Sequence, residues 1–501
     1  MDLSSSKFID SWRQIKLKGQ QALGLIIKYC SPATLTAIIC GVMGIYLLLI
    51  APIHGYADNG DFNRVLNGNN LYALKGSNSQ YVVTQYGIKQ YYNDLGSGVW
   101  KTQSFFIQLA ILINKMFFST HIFDIRFLGL VYLIAYIASI YMFTKSLVPG
   151  RRSMGAYVFA ILVGIVAGDS AFLMYFNSFY PQATTLIFLV LAVALLIYIP
   201  QLHGRKLFAA VIGYFIAVFL LIMGDYSVAP LGVVFAIASA GLFFLPRIRY
   251  QRWYLGAGVA MILITSGIST TMLTPEEQMV NKFQSFTKGV LANNDDPISS
   301  LSNASLNKQF ILMKDQDYFP TDYTALKPDS KYVQHNLIDK YNTFWLVDYY
   351  GNHLKQLGTS LNDVAKNMMV VQVSALGNYT KGHGRALQQF SFFTLYSQLS
   401  STFYPKKYAF NVMIGLTLGI IYLVGMYKNF KSRKEIAGIM KFFLIVGLMI
   451  GTMILPLTTL LTFGETNLSQ HMLPVSFSLD LVYLILIADV IRKKLWKGTS
   501  Q

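Results

Sequence analysis

Ten apolar runs, each about as long as a membrane is thick, constrain the fold of this sequence more than any other feature. An α-helix needs about 20 mostly apolar residues to cross a hydrocarbon core of roughly 30 Å. We therefore predict an all-α polytopic membrane protein, and the composition agrees, because 54% of the residues are apolar and only 13% are charged. These values exclude a soluble enzyme. The predicted membrane-spanning helices are 33–53, 122–143, 154–175, 183–199, 207–223, 228–245, 254–273, 409–427, 440–461 and 472–491.

The positions of Lys and Arg along the chain predict its orientation. Loops on the cytoplasmic side of a membrane collect these residues. If both termini are cytoplasmic, the segments on that side carry 22 of the 41 basic residues but only four of the 23 acidic ones. We predict a multi-pass protein of the cell membrane with both termini inside. Its net charge of +18 then orients the helices and meets anionic membrane lipid, and nucleic-acid binding is not expected.

This topology divides the chain into five predicted regions. Two outer connections, a first outer loop at 55–121 and a large loop at 274–408, are long enough to carry function. Neither contains a cysteine, so packing must order them. The regions are a cytoplasmic segment 1–32, a seven-helix transmembrane module 33–273, the extracytoplasmic large loop 274–408, three C-terminal transmembrane helices 409–491 and a cytoplasmic tail 492–501.

One apolar stretch, Ser104–Phe118, is short for a membrane span and is interrupted by polar residues. Counting it as a span would place the basic residues of 145–152 outside. We therefore predict an amphipathic helix that lies along the outer membrane surface. The alternative is a short membrane span.

The large loop carries local signals for helices. Thr274-Pro275-Glu276-Glu277 has the pattern of a capping box with proline in the first turn, so we predict a helix to about Leu291. Ser360 offers a similar start for a helix through Ala375. The segment 293–330 is rich in Asn, Asp, Ser and Pro, and we predict irregular structure there.

A pair of carboxylates, Asp58 and Asp61, carries the main chemical signal and lies just after the first predicted span. Asn59 and Gly60 separate them, so both can point from one turn into one cavity. Such a pair can take a proton from a hydroxyl group, or hold a divalent cation such as Mg²⁺ or Mn²⁺. If a helix begins at Asp61, one carboxylate can cap it while the other stays free. The alternative is an Asx-turn with solvated acids.

An inner N-terminus, an acidic motif in the first outer loop, an amphipathic helix after it and a large outer loop further on make the chain resemble, from end to end, the GT-C superfamily of integral-membrane glycosyltransferases. More narrowly, three motifs are similar to those of bacterial glycan-biosynthesis hexose transferases of the WsfD type. They are the acidic Asp58–Phe62 followed by Arg64, the segment Tyr175-Phe176-Asn177-Ser178-Phe179-Tyr180, and a late segment with Glu465 and His471. The chain departs from that pattern at Pro181-Gln182, where Gly-Glu is expected, so a second acidic residue is absent there.

The resemblance implies a GT-C-like fold and transfer of a sugar, a hexose, on the outer face of the membrane. The partners implied are a polyprenyl-phosphate-linked sugar donor and a hydroxyl of a cell-surface glycan acceptor. A carboxylate must deprotonate that hydroxyl, and we prefer Asp58 to Asp61 as the catalytic base. Whether the two acids also bind a metal stays open.

Four basic side chains are candidates for binding the donor phosphate, and glycines beside three of them let the backbone approach a phosphate closely. They are Arg126, Lys381, His383 and Arg385. The alternatives are an interfacial arginine for the first and a solvent-exposed basic loop for the others.

Seven further residues are assigned to substrate binding. Asp169 would line the outer cavity, because a carboxylate within a span needs a reason to be there. Asp225 and Asp480 have simpler structural interpretations, as a helix cap and as a hydrogen-bond partner of a neighbouring helix. The seven residues are Arg64, Asp169, Asn177, Tyr180, Gln182, Glu465 and His471.

Two other classes of protein are alternatives to a glycosyltransferase. A transporter or flippase of lipid-linked sugars would show paired halves and broken helices with charge near the midplane of the membrane. A polysaccharide polymerase or ligase would depend on arginines and a histidine in its outer loops.

Overall fold

The computed structural model describes residues 29–90, 101–150, 152–245, 252–303, 306–320, 324, 326–432 and 436–495. Most of the predicted cytoplasmic segment 1–32 and of the tail 492–501 lies outside these ranges. Three short strands are β1 (Leu71–Ala73), β2 (Gln85–Ile88) and β3 (Ile122–Asp124). The α-helices are α1 (Pro32–Leu48), α2 (Phe62–Gly68), α3 (Thr102–Phe117), α4 (Ile125–Leu147), α5 (Met154–Ala167), α6 (Ser170–Leu173), α7 (Gln182–Tyr198), α8 (Gly204–Ile222), α9 (Leu231–Ser239), α10 (Arg252–Thr271), α11 (Pro275–Ser285), α12 (Pro297–Asn303), α13 (Lys331–Asn336), α14 (Thr343–Asn352), α15 (Leu354–Asn367), α16 (Leu395–Phe403), α17 (Tyr408–Ser432), α18 (Ile436–Phe463), α19 (Leu468–His471) and α20 (Leu473–Ile491).

Each of the ten predicted spans contains a helix, and the all-α polytopic membrane class is confirmed. By length and composition, seven helices of the described chain can cross a membrane: α4, α7 with its extension to Gln201, α8, α10, α17, α18 and α20. An eighth span is a pair of helical segments, Met154–Ala167 and Ser170–Asn177, bent by 50°. The remaining two, α1 and the helical segment Leu231–Phe244, are shorter.

Local capping explains why two spans differ from their predicted bounds. The first span was predicted to reach residue 53, but α1 ends at Leu48, whose carbonyl accepts a hydrogen bond of 3.0 Å from Asn177 Nδ2. The third span breaks at Asp169, because Asp169 Oδ1 accepts from the amide of Ala171 at 2.9 Å and so caps a new helix.

The large loop contains more helix than predicted. The capping box at Thr274 and Glu277 is confirmed, and the helix that it opens continues through a π-helical turn to Val290. The prediction of a helix from Ser360 to Ala375 is wrong, because Ser360 is buried in the middle of α15. The segment predicted to be irregular contains α12 and a 3₁₀ turn at Lys308–Met313.

The first outer loop forms a small antiparallel sheet that was not predicted. β2 is central, with Leu71 of β1 opposite Ile88 and Asp124 of β3 opposite Gln85. β3 takes the first three residues of the predicted second span, so that helix begins at Ile125.

Helix α3 corresponds to the stretch predicted to lie on the membrane surface. Near its start, the amide of Thr102 donates to the carbonyl of Met223 at 3.0 Å, just beyond the end of α8. Near its end, Asn114 Nδ2 donates to the carbonyl of Ile122 at 2.8 Å, just before α4. With the bent pair counted as one span, four crossings separate the start of α4 from the end of α8, so both lie on the same side of the bundle. Helix α3 therefore lies across that side, which we call the outer end, and does not cross the bundle.

Two apolar cores hold the described chain together. One runs through the spans from α1 to α20. The second belongs to the large loop, where Phe283, Phe286 and Phe310 are fully buried, and it closes against Leu460 of α18. Both cysteines, Cys30 and Cys40, are free thiols, so apolar packing and not a disulfide orders the large loop.

Candidate functional site

The acidic turn, residues Asp58–Asp61, is an Asx-turn that opens α2. Asp58 Oδ1 accepts from the amides of Gly60 at 2.7 Å and Phe62 at 3.1 Å. Gly60 has φ +106°, which favours glycine. The carboxylate that caps α2 is thus Asp58, while Asp61 occupies the N-cap position without a side-chain capping bond.

The predicted motif Tyr175–Tyr180 lies beneath the acidic turn and holds it. The Tyr180 hydroxyl accepts from the amide of Asn59 at 3.0 Å and donates to the carbonyl of Ala57 at 2.8 Å. Asn177 Nδ2 donates to the carbonyl of His54, also at 3.0 Å, in addition to that of Leu48. Asn177 and Tyr180 are therefore positioning residues for the turn.

A chain of ion pairs leads away from the acidic turn to two other connections. Arg64 lies 3.7 Å from Asp61 and 3.1 Å from Glu277 at the start of α11. The Lys101 ammonium lies 3.7 Å from Glu277 and 3.5 Å from Asp225, which follows α8. We call these five residues the ion-pair chain. It joins the first outer loop to the large loop.

Burial and charge set the protonation of two groups at this site. Burial raises the pKa of Asp58, and the negative charge of Asp61 raises it further, while its two amide partners lower it. Burial also lowers the pKa of His471 to about 4, although Asp225 and Asp61 act in the opposite direction. At neutral pH His471 is therefore uncharged, and it lies within electrostatic range of the acidic turn.

Polar atoms without a hydrogen-bond partner in the described chain gather beside His471. They are Nδ1 of His471, Nε2 of Gln470, Oε1 of Gln182 and Oγ1 of Thr466. Gln182 Nε2 donates to the carbonyl of Gln470 at 3.3 Å, and the His471 ring stacks on Phe463 at 3.8 Å. Buried polar groups are normally hydrogen bonded. We call this group the polar cluster, and its four atoms retain unused hydrogen-bonding capacity.

Glu465 faces the large loop and not the acidic turn. Asn293 Nδ2 donates to Glu465 Oε1 at 2.8 Å and to Asp363 Oδ2 at 2.9 Å. Burial, followed by the charge of Asp363, raises the pKa of Glu465. Its predicted role beside His471 has no support in these contacts.

Asp169 has its own partners within the fold. One carboxylate oxygen caps α6, and the other accepts from the amide of Ser397 at 2.9 Å. Asp169 is 1% exposed. The described contacts give it a capping role, and its assignment to substrate binding stays a prediction.

The predicted phosphate-binding residues are not gathered at the acidic turn. Arg126 makes a two-point ion pair with Asp124, at 2.9 and 2.6 Å, so much of its donor capacity is already used. Lys381, His383 and Arg385 are exposed in a tight loop in which Lys381 forms an isolated bridge with Gly384.

The segment 377–381 runs away from the acids. Tyr379 forms an isolated antiparallel bridge with His54, before the acidic turn, while the carbonyl of Gly377 accepts from the amide of Ala57 beside Asp58. Each residue from Gly377 toward Lys381 adds about 3.3 Å of separation. The basic cluster is therefore not brought together with the acidic turn, and its assignment to the donor phosphate stays a prediction.

Three residues of the ion-pair chain were missed or assigned only to capping. Glu277 does cap α11 through Oε2, but its other oxygen Oε1 binds Arg64 and Lys101. Asp225 likewise caps Ser227 with one oxygen and meets Lys101 with the other. Lys101 gave no sequence signal. A capping motif identifies a helix start, but it says nothing about a partner of the second oxygen far along the chain.

The metal prediction rests on Asp58 and Asp61 alone. Within the described ranges no group of three His, Cys, Asp or Glu side chains is arranged to hold a metal ion. Mg²⁺ is often held by one or two carboxylates together with phosphates of a substrate. A divalent cation at this turn would therefore need ligands from the substrate.

A family model described as the YfdI N-terminal transmembrane domain matches residues 16–501. No curated protein and no solved structure gives a significant match. The match covers all the described helices, and its description agrees with the multi-pass architecture. The chain therefore belongs to the YfdI N-terminal transmembrane domain family.

Proposed function

We propose that the protein is a membrane glycosyltransferase of the GT-C type, similar to the hexose transferases of the WsfD type. It moves a hexose from a polyprenyl-phosphate donor to a hydroxyl of a cell-surface glycan on the outer face of the membrane. The observation that carries the proposal is the acidic turn with its half-buried Asp58 and with Asp61 3.7 Å from Arg64. Glu277 links Arg64 to a second cation, Lys101, and His471 of the polar cluster lies within electrostatic range of Asp61. The resemblance of the motifs adds support.

In the proposed reaction, Asp58 takes the proton of the acceptor hydroxyl. The acceptor oxygen forms a bond to the anomeric carbon, and the bond from that carbon to the phosphate oxygen breaks. The electron pair leaves on polyprenyl phosphate, and cations near the departing oxygen stabilise it. Two amides fix Asp58 Oδ1, which leaves Oδ2 for the proton. Burial suits this role, because a raised pKa brings a carboxylate closer to the ideal range for a base.

The polar cluster would bind the sugar. A neutral His471 can donate from one ring nitrogen and accept at the other. With Gln182 and Gln470 it offers both donors and acceptors, which matches hydroxyl groups that do both. Arg64 and Lys101 would face the phosphate.

A transporter of lipid-linked sugars is the second candidate, because the third span is broken at Asp169 and α20 carries a buried Asp480. Broken helices and buried charges are typical of transporters. Both carboxylates, however, have partners in the fold, since two amides bind Asp169 and the Tyr396 hydroxyl binds Asp480. A polymerase or ligase is less favoured, because that class depends on arginines and a histidine in its outer loops, whereas the candidate site here is built on an acidic turn after the first span.

The test is sugar transfer by the purified protein with a panel of polyprenyl-phosphate hexoses, with and without a chelator. Asp58→Asn is expected to lower the rate about 10²–10⁴-fold, as for loss of a general base. Asp348→Asn, an exposed acid of α14, is the matched control and should leave the rate unchanged. Full activity of Asp58→Asn overturns the assigned base. Movement of donor across a sealed vesicle without any transfer supports the transporter.

A further inference from the structure

Helix α16 is amphipathic in the reverse sense to a helix of a water-soluble domain. Leu395, Leu399 and Phe403 recur at every fourth residue and are 63%, 47% and 78% exposed. Ser397, in contrast, is buried, and Tyr396 is half-buried. A helix in water places its apolar stripe against the core and its polar face in solvent. Here Tyr396 and Ser397 are turned toward the protein, and the exposed face carries the apolar stripe with Gln398 and Thr402 beside it.

The inward face of α16 is bound to membrane-spanning helices. The Tyr396 hydroxyl donates to Asp480, which lies seven residues into α20 and so about 10 Å from its start. The amide of Ser397 donates to Asp169 at the break of the third span. These anchors place α16 beside the spans and not above them.

Helix α15 of the same large loop turns its apolar side chains inward after its first residue, Leu354, which is 69% exposed. It buries Leu361 and Val364, while the side chain of Lys355 is 87% exposed. Helix α14 is more mixed, because it buries Leu346 and exposes Phe344. The inversion in α16 is therefore not a general property of the large loop.

The flanks of α16 extend the same surface. Phe392 and Phe393 precede the helix and are 64% and 46% exposed, and Phe393 contacts the ring of Tyr46 of α1 at 6.0 Å. Exposed Lys406 and Lys407 follow the helix, directly before α17. An apolar surface of this kind, in contact with the span α1 and bordered by cations, matches the interface of an anionic bilayer.

We propose that α16 lies in the outer leaflet, with its apolar stripe in the hydrocarbon and with Lys406 and Lys407 on the phosphates of anionic phospholipid. The last part of the large loop, predicted to be entirely extracytoplasmic, then belongs to the membrane interface. This inference does not depend on the proposed activity. Its partner is the bilayer itself, and a second copy of the chain is the competing occupant.

Spin labels can measure the depth of α16 in the full-length protein. Leu399→Cys and Phe403→Cys are made in a background of Cys30→Ser and Cys40→Ala, labelled with a nitroxide and placed in nanodiscs of phosphatidylcholine and phosphatidylglycerol. Oxygen concentrates in hydrocarbon and a nickel chelate in water. The ratio of the label's accessibility to oxygen over its accessibility to the nickel chelate is expected to exceed one at 399 and 403. It should fall below one at the control Phe344→Cys, 85% exposed on α14.

Two results would overturn the proposal. Labels at 399 and 403 that meet the nickel chelate as freely as the label at 344 would place α16 in water. Labels shielded from both reagents, with spin–spin coupling between molecules, would show a second copy on this surface.

The contact of Lys406 and Lys407 with anionic lipid phosphates is tested by a separate variant. In the Phe403→Cys protein, a higher fraction of phosphatidylglycerol is expected to deepen the label, and Lys406→Gln with Lys407→Gln should remove that dependence. Lys308→Gln with Lys314→Gln, two exposed lysines elsewhere in the large loop, is the matched control and should preserve it. A depth independent of lipid charge in the unchanged chain contradicts contact between these lysines and lipid phosphates.

Discussion

Asp58 and Asp61 are chemically alike, but their surroundings give them different properties. Asp58 is half-buried, with one oxygen fixed by two amides, whereas the side chain of Asp61 is 54% exposed and faces Arg64 at 3.7 Å. The spacing of the two acids in the sequence does not distinguish them. Their neighbours do, and they favour Asp58 as the base and Asp61 as the partner of a cation.

The raised pKa of Asp58 predicts how activity depends on pH. A base must be deprotonated, so kcat/KM should fall as the pH drops through the pKa of Asp58, above the ordinary aspartate value of about 3.9. Asp61→Asn removes a negative neighbour and should move this fall to lower pH. Asp348→Asn should leave it in place. A profile of kcat/KM against pH checks this, and a shift to higher pH in Asp61→Asn would contradict the assignment.

The hydroxyl of Tyr180 can be tested against that of a neighbouring tyrosine. Tyr180→Phe removes two hydrogen bonds to the acidic turn, each worth about 0.5–1.5 kcal/mol. It should lower kcat by more than the accompanying loss of folding stability, measured from the unfolding temperature, accounts for. Tyr175→Phe is the control, because the buried hydroxyl of Tyr175 has no partner in the described chain. Equal transfer rates in both variants would remove Tyr180 from the positioning role.

At the scale of elements, α11 connects two loops through one carboxylate. Glu277→Gln can still cap the helix but loses its charge toward Arg64 and Lys101. We expect the free energy of unfolding to fall by about 1–3 kcal/mol, a modest value because the side chains of both cations are partly exposed to solvent. Glu276→Gln, an exposed neighbour in the same turn, should change stability little. Thermal unfolding in detergent measures both. Similar unfolding temperatures would show that the ion-pair chain does not hold the loops together.

The elements also show which parts of the fold the sequence can predict. Hydropathy located the spans and the capping box located α11, because each signal is contained in a short window. The pairing of β2 with β1 and β3 depends on residues up to tens of positions apart, and the docking of α16 on Asp480 spans 84 residues. The acids of the site were predicted. Lys101 and the second roles of Glu277 and Asp225 were not, because their ion-pair partners lie more than a hundred positions away in the sequence.

At the scale of the whole molecule, the candidate site is assembled from connections that share one end of the bundle. In a chain of ten crossings, the connections after spans one, three, five, seven and nine lie on the same side. Each contributes a residue to the site or its support. In chain order these are Asp58, Tyr180, Asp225, Glu277 and His471. Contacts link the first four of these connections and tie Gln470, beside His471, to Gln182, so the observed site agrees with ten crossings and with α3 outside the membrane.

This agreement gives a prediction about the termini. If α3 lies on the surface, the chain crosses the membrane ten times and both termini are on one side, which the distribution of Lys and Arg predicts to be the cytoplasm. If α3 were a span, the termini would lie on opposite sides. Reporter domains fused to each terminus, in intact and in permeabilised cells, measure this directly.

Labelling of Phe344→Cys but not Arg205→Cys by a membrane-impermeant maleimide in intact cells would fix the site on the outer face, because these exposed positions follow the seventh and the fourth spans. The reverse labelling pattern would turn the site inward and remove the basis for an acceptor on the cell surface.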